Sequence, residues 1–420
     1  MLYERWRKIV ADHAGERALR DTGTGRTWTF GELAAAAERG VITDPPVVFP
    51  EGAGADFVLS VLRGWRTNRI VCPLEPGQAR PPIHSLPANC AHLKTTSATG
   101  GNARMVAFTA AQLAADAENI VATMGLRPDR ANFGVISLAH SYGFSNLVLP
   151  LLLHGIPLIL APAPLPEIVR RSAEGEPALA LPAVPALWRA WHEAGAIPPN
   201  VRLAISAGSP LPLRLEQQVF AATGLKIHNF LGSSECGGIA YDITEKPRAN
   251  DADVGIALQK VTLGINADGC LTVRSAAVGQ TYWSEPSQAL AGGVFQTSDL
   301  AELRNGHVYL RGRRGDVINV AGRKLSPESV EQVLSAHPAV RDCLVFGVPS
   351  RDAERTETIV AVVAGAASEA ELKPFLLARL PAWQLPRYWQ FVDALAGNRR
   401  EKVSRAEWRQ RYLKEARPEK

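Results

Sequence analysis

Cysteine is scarce. Five occur in 420 residues (Cys72, Cys90, Cys236, Cys270, Cys343), and no two form a CxxC pair. That spacing supports neither a zinc site nor a disulfide framework. A long uninterrupted apolar run is also missing. The most apolar stretch, Leu147 to Leu165, is broken by His154, Gly155, Pro150, Pro157, Pro162 and Pro164. It reads as a buried helix followed by a strand, not as a membrane span. The opening residues, Met1-Leu2-Tyr3-Glu4-Arg5-Trp6, carry charge where a signal peptide needs an apolar core. A cytoplasmic, reducing location is therefore expected. No Lys/Arg tract is long and interleaved with aromatics, so the formal charge of +5 suits anionic small ligands and argues against nucleic acid. Internal repeats and low-complexity tracts are absent from the sequence.

What is present is an ordinary globular balance, 46% hydrophobic and 21% charged, long enough for two to three domains. Strand-like and helix-like segments alternate in the first half. Pro46 to Phe49 and Ile70 to Leu74 read as strands, and Phe57 to Trp65 has apolar residues at helical spacing. Alternation of this type predicts a parallel sheet. Residues 75 to 90 are proline-rich and read as a connection. The runs His92 to Thr96 and Arg104 to Thr109 flank a glycine- and hydroxyl-rich loop. Thr109 and Gln112 form a capping-box pattern, and the helix after them puts Leu113, Ala117, Ile120, Val121 and Met124 on one face. From about 250 to 310, alternating runs and turn signals predict an antiparallel, barrel-like part. Ser326-Pro327-Glu328 has the form of an N-cap with proline at the first helical position. The charged tail after Arg411 reads as frayed.

Several segments carry chemistry. Thr96-Ser97-Ala98-Thr99-Gly100-Gly101-Asn102-Ala103-Arg104 offers hydroxyls and closely approachable backbone N–H groups, which suit a polyphosphate or a plain flexible turn equally. No Gly-Lys-Ser/Thr follows, so it is not a Walker loop. Further along come Ala139-His140-Ser141-Tyr142-Gly143, Ala207-Gly208-Ser209-Pro210-Leu211, Leu231-Gly232-Ser233-Ser234-Glu235 with Gly237 and Gly238, and Thr297-Ser298-Asp299. Gly312-Arg313-Arg314-Gly315-Asp316-Val317-Ile318 is followed by Gly322-Arg323-Lys324-Leu325-Ser326-Pro327-Glu328, and Leu395 to Val403 contains Lys402.

Taken in order, these segments resemble the acyl-adenylate-forming superfamily, which includes acyl- and aryl-CoA ligases, peptide-synthetase adenylation domains and luciferases. The likeness runs from roughly Thr27 to Arg411. The stretch from Pro76 to Thr95 is shorter than in typical members. In the phosphate loop, Ala98, Gly100, Ala103 and Arg104 depart from the family pattern, although Arg104 keeps the charge. Leu231 replaces an aromatic, Gly315 an Asp or Lys, and Glu401 a glycine.

The resemblance implies an α/β fold: a large N-terminal domain of αβ layers with a barrel-like subdomain (1–311), a hinge (312–315), and a small mobile α+β lid (316–420). It implies an acid–thiol ligase that uses ATP, Mg²⁺ and CoA, or the phosphopantetheine of an acyl carrier protein. Thr96, Ser97, Thr99, Gly100, Gly101, Arg104, Gly208, Ser209, Leu231, Gly232, Ser233, Ser234, Asp299 and Arg313 would contact nucleotide. Glu235 would hold Mg²⁺ and Lys402 would drive catalysis. His140, Tyr142, Gly143, Ala207, Gly237 and Gly238 would line the acyl pocket, Gly315 and Asp316 the hinge, and Gly322 and Lys324 the thiol channel. Two alternatives to CoA ligation stay open, a carrier-protein loader and a non-catalytic binding protein that retains the fold.

Overall fold

The structure is a computed structural model, and it describes all residues except 40–45, 84, 86, 97–103, 284, 351–355, 396–403 and 416–420. Its centre is a run of parallel strands, Leu158–Leu160, Ala131–Gly134, Leu179–Ala183, Val201–Ser206 and Ile227–Ser233, neighbours in that order. The first three strands of that order are buried along their whole length, as expected where helices cover both faces of a sheet. The hairpin Arg17–Asp21 and Arg26–Thr29 extends one edge.

Helices Ala110–Met124 and Leu149–His154 supply much of the core beside this sheet, and Ala55–Arg66 packs on strands Val47–Val48 and Ile70–Val71 of a second one. The helix after Thr109 starts as predicted: Gln112 N donates to Thr109 Oγ1 at 3.3 Å, and Thr109 N donates to Gln112 Oε1 at 2.8 Å. Its inward face also carries Asp116 and Asn119, both fully buried. The apolar stretch after Leu147 is a helix and then a strand, as its prolines predict. Among the described residues no helix is long and apolar enough to cross a membrane.

A second, smaller sheet pairs Thr281–Trp283, Met105–Phe108, His92–Thr95, Ile70–Val71 and Val47–Val48 in that order. Its first strand comes from far along the chain, a long-range pairing that matters for the site. From Ile227–Ser233 the main sheet turns antiparallel through Gly237–Tyr241, Asp253–Ala257, His307–Arg313, Val294–Arg304, Cys270–Arg274 and Thr262–Ile265. Asn305 and Gly306, with φ of 52° and 81°, form the two-residue hairpin loop that an Asn-Gly pair favours.

Beyond a short turn at Arg314–Asp316, residues from Ile318 pack mainly among themselves. Helix Pro327–Ser335 lies on a three-stranded sheet of Val340–Pro349, Glu357–Gly365 and Tyr388–Val392. Proline is at its first position as predicted, but the Ser326 hydroxyl donates to Glu328 Oε2 at 2.6 Å and does not cap the helix. The tail departs from expectation. Helix Arg405–Glu415 continues past Arg411, because Trp408 is buried in the small core and Arg411 pairs with Glu415 at 2.7 Å.

Candidate active site

Ligand sites in open α/β sheets form outside the carboxyl ends of the strands. Here a cavity of about 490 Å³ opens there, reached by Ser137 after Ala131–Gly134, Val184 after Leu179–Ala183, and Ala207 and Gly208 after Val201–Ser206. The antiparallel strands close it from the other side with Phe295, Thr297, Ser298, Asp299 and Arg313.

The polar side is organised around Glu235. Tyr282 Oη donates to Glu235 Oε1 at 3.1 Å, and the Glu235 backbone N–H donates to Ser233 Oγ at 3.2 Å. Burial, followed by the charge of Glu235, pushes the Tyr282 phenol up, so it remains a donor throughout the physiological range. The Arg104 guanidinium lies 5.5 Å from the Tyr282 ring centroid. Tyr282 therefore joins two sequence-predicted residues while belonging to no motif. Thr96 and Arg104 close the base of the loop between them: Thr96 N donates to Arg104 O at 2.7 Å and Arg104 N to Thr96 Oγ1 at 3.2 Å.

Asp299 and Arg313 sit directly opposite in the antiparallel ladder, and Arg313 Nε donates to Asp299 Oδ1 at 3.1 Å. Thr297 Oγ1 accepts the Asp299 N–H at 3.0 Å, which fixes the start of this turn. Asp299 lines the cavity, and as an acceptor-only group it suits hydroxyl donors.

Glycines shape the opposite half, for packing reasons. A Cβ on Gly143 would meet Ser137 O at 2.0 Å, one on Gly238 would meet Leu258 Cδ2 at 2.3 Å, and one on Gly237 would meet Asp116 Oδ1 at 1.9 Å. Asp116 fills that space, accepting the Gly238 N–H at 3.1 Å and the Ser145 hydroxyl at 2.6 Å. Lys94 Nζ lies 3.5 Å from Asp116 Oδ2 and donates to Ser145 Oγ at 3.2 Å. Tyr142 reaches Ala183 O and Ile205 O at 3.4 Å, so its hydroxyl is tied to the sheet; burial pushes its phenol well up. At the cavity wall His140 Nε2 is 3.3 Å from Glu75 Oε1, and Ser137 donates to the same carboxylate. Glu75 comes from the proline-rich connection, where nothing in the sequence singled it out.

Of the expected residues, Thr96, Gly208, Gly232, Ser233, Ser234, Glu235, Asp299, Arg313, His140, Tyr142, Gly143, Ala207, Gly237 and Gly238 line this one cavity. Leu231 does not. It alternates with Phe230 and Gly232 along the strand and packs against the core. Ser209 is exposed beside Gly208, and Arg104 does not line the cavity but lies over the Tyr282 ring. Gly315 lies in the short turn, and Asp316 Oδ2 accepts from Arg405 at 2.8 Å. Ala321 and Gly322, with φ of 51° and 80°, turn the ribbon that presents Lys324 to solvent. Ser97, Thr99, Gly100, Gly101 and Lys402 lie outside the described residues.

Fold and cavity together define an α/β protein that takes its ligand between parallel strand ends and an antiparallel flank. Profiles of known families agree: residues 55–289 match the AMP-binding enzyme family, and residues 329–402 match the AMP-binding enzyme C-terminal domain. The chain belongs to the AMP-binding enzyme family. It is similar to a 2-succinylbenzoate–CoA ligase of Bacillus mycoides (strain KBAB4), 24% identical over 331 residues, 75% of this chain and 68% of that one. It is also similar to the fatty acid–acyl-carrier-protein ligase ScoC of Streptomyces coeruleorubidus, 27% identical over 238 residues, 51% of this chain and 45% of that one. ATP-bound MatB from Rhodopseudomonas palustris shares the fold, with a TM-score of 0.86 and 20% identity over 99% of each chain. The chain spans about half the length of most curated relatives it matches.

Proposed function

We propose that this chain activates a carboxylic acid with ATP and then transfers the acyl group to a thiol. The observation that carries the reading is convergence: Glu235, the Asp299–Arg313 pair and the glycine-lined half belong to separate stretches of sequence and face one cavity. In the first step the acid's carboxylate oxygen attacks the α-phosphorus of ATP. An acyl-AMP mixed anhydride forms, and the α–β phosphoanhydride bond breaks to release pyrophosphate. In the second, a thiolate attacks the acyl carbon, a thioester forms, and AMP leaves.

Asp299 accepts hydrogen bonds from the ribose hydroxyls, and Arg313 holds that carboxylate in place. Thr96, Ser97, Thr99, Gly100, Gly101 and Arg104 face the phosphates. Glu235 holds Mg²⁺. A single carboxylate suits a hard cation that takes its other oxygens from phosphate and water, and no cluster of three metal-binding side chains occurs among the described residues. The bound ion offsets phosphate charge. Lys402 supplies a cation where negative charge builds as carboxylate meets phosphate. Residues 312–315 form the hinge on which the region from 316 turns, bringing Gly322 and Lys324 to the thiol channel for the second step.

The acceptor in this reading is CoA. The similarity to ScoC favours a second acceptor, the phosphopantetheine arm of a carrier protein. Pyrophosphate release across an acid panel, with and without CoA and with a carrier protein, tests both steps. Release with no acid in the panel would overturn adenylation. Pyrophosphate exchange undiminished by Lys402→Ala would remove Lys402 from its role.

A further inference from the structure

The acyl half of the cavity has a polar floor that plain hydrocarbon cannot satisfy. A π-helical turn, Phe144–Val148, places Ser145 and Asn146 in the cavity wall. Such turns recur at functional sites. Both residues are almost fully buried, at 3% and 2% exposure.

The hydrogen-bonding roles of both are set from behind. Ser145 gives its proton to Asp116 Oδ2 at 2.6 Å, an acceptor-only group, and takes one from Lys94 Nζ at 3.2 Å. It therefore keeps a lone pair and has no proton to offer. Asn146 Nδ2 donates to Tyr142 O at 3.1 Å, which fixes the amide orientation, and Asn146 Oδ1 is buried with no donor among the described residues. Burying the Lys94–Asp116 pair costs desolvation, and a pocket for alkyl chains gains nothing from it. Besides taking the Gly238 N–H, the pair holds Ser145 as an acceptor.

We infer that the acid taken by this site carries a hydrogen-bond donor, a hydroxyl or amino group, on the part of the acyl group that meets Ser145 and Asn146. A bare alkyl or aryl group would leave these acceptors unpaired, and a second carboxylate would set acceptor against acceptor. The inference rests on the adenylation reading and names its substrate class.

The test is ATP–pyrophosphate exchange by the full chain with matched acids: benzoate against its hydroxy and amino derivatives, hexanoate against its terminally hydroxylated form, and the corresponding dicarboxylates. The wild type is expected to prefer the best donor-bearing acid over its unsubstituted partner by at least about tenfold in kcat/KM. Asn146→Leu and Ser145→Ala are each expected to cut that ratio by about tenfold, with folding checked by circular dichroism. Equal or better use of the unsubstituted acid or the dicarboxylate overturns the inference and leaves adenylation standing, whether or not the variants fold. A ratio unmoved in both folded variants also overturns it. No exchange with any acid overturns adenylation and this inference together.

Discussion

The hydroxyl of Tyr282 donates to Glu235 at 3.1 Å and so restrains a carboxylate that lines the cavity. Tyr282→Phe keeps the ring that underlies Arg104 and removes only that hydrogen bond. Such supporting contacts to ligating groups are worth about ten- to a hundredfold. Exchange by the Phe variant should fall by that order at limiting Mg²⁺ and recover in part as Mg²⁺ is raised. Recovery independent of Mg²⁺ would place Tyr282 elsewhere in the reaction. Asp299→Asn removes the charged acceptor and weakens the contact with Arg313. Hydrogen bonds to charged groups are worth about 1.5–3 kcal/mol, so KM for ATP should rise by roughly ten- to a hundredfold with little change in KM for the acid.

At the scale of elements, helix Ala110–Met124 and strand Gly237–Tyr241 are joined through Asp116. Apolar periodicity correctly put Leu113, Ala117, Ile120 and Met124 inside. It could not show that Asp116 faces inward too, because its partners Ser145, Lys94 and Gly238 lie 29, 22 and 122 residues away. Asp116→Ala strands Lys94, whose side chain is 3% exposed, and should cost about 3–5 kcal/mol in denaturant unfolding. Pairing it with Lys94→Met should recover a large part of that loss; full additivity of the two single costs would show that the charges do not interact. Gly237 has φ of 69° and no room for a Cβ, so Gly237→Ala should be poorly folded for steric reasons alone.

For the whole molecule, the region beyond Arg313 adds a charge cluster to its apolar cores. Arg405 meets Asp316, Glu328 and Glu331 at 2.8, 2.6 and 2.6 Å, three carboxylates on one guanidinium. Burial pushes Glu331 up to about 7 from its ordinary 4.5. The folded chain then keeps a proton that the unfolded chain loses across that interval. This contribution to stability is complete below about pH 4.5 and disappears as pH rises through 7. Thermal melts from pH 5 to 8 should show a steeper decline for wild type than for Glu331→Gln; parallel curves would mean that Glu331 stays ionised. A Cβ on Gly315 would meet nothing within 4 Å, and proline there would lock φ and restrict Arg314 before it. If residues 312–315 are the hinge, Gly315→Pro should leave pyrophosphate exchange largely intact and lower thioester formation by tenfold or more. Equal loss of both steps would count against a hinge that serves only the second.

The sequence by itself determined the order of strands and helices, the capping box at Thr109, the Asn305-Gly306 hairpin and the family, because each depends on residues adjacent in the chain or on a motif read in register. Glu235, Asp299 and Arg313 were singled out for the same reason, and the fold brings all three to one cavity. Tertiary structure alone decided which groups support them. Strand Thr281–Trp283 pairs with Met105–Phe108 and so delivers Tyr282 to Glu235. A connection without regular structure delivers Glu75 to His140, and Leu231 packs against the core and does not line the cavity. Local propensity and spacing are short-ranged, whereas a hydrogen bond between residues 47 or 122 apart exists only once the sheet has fixed both ends.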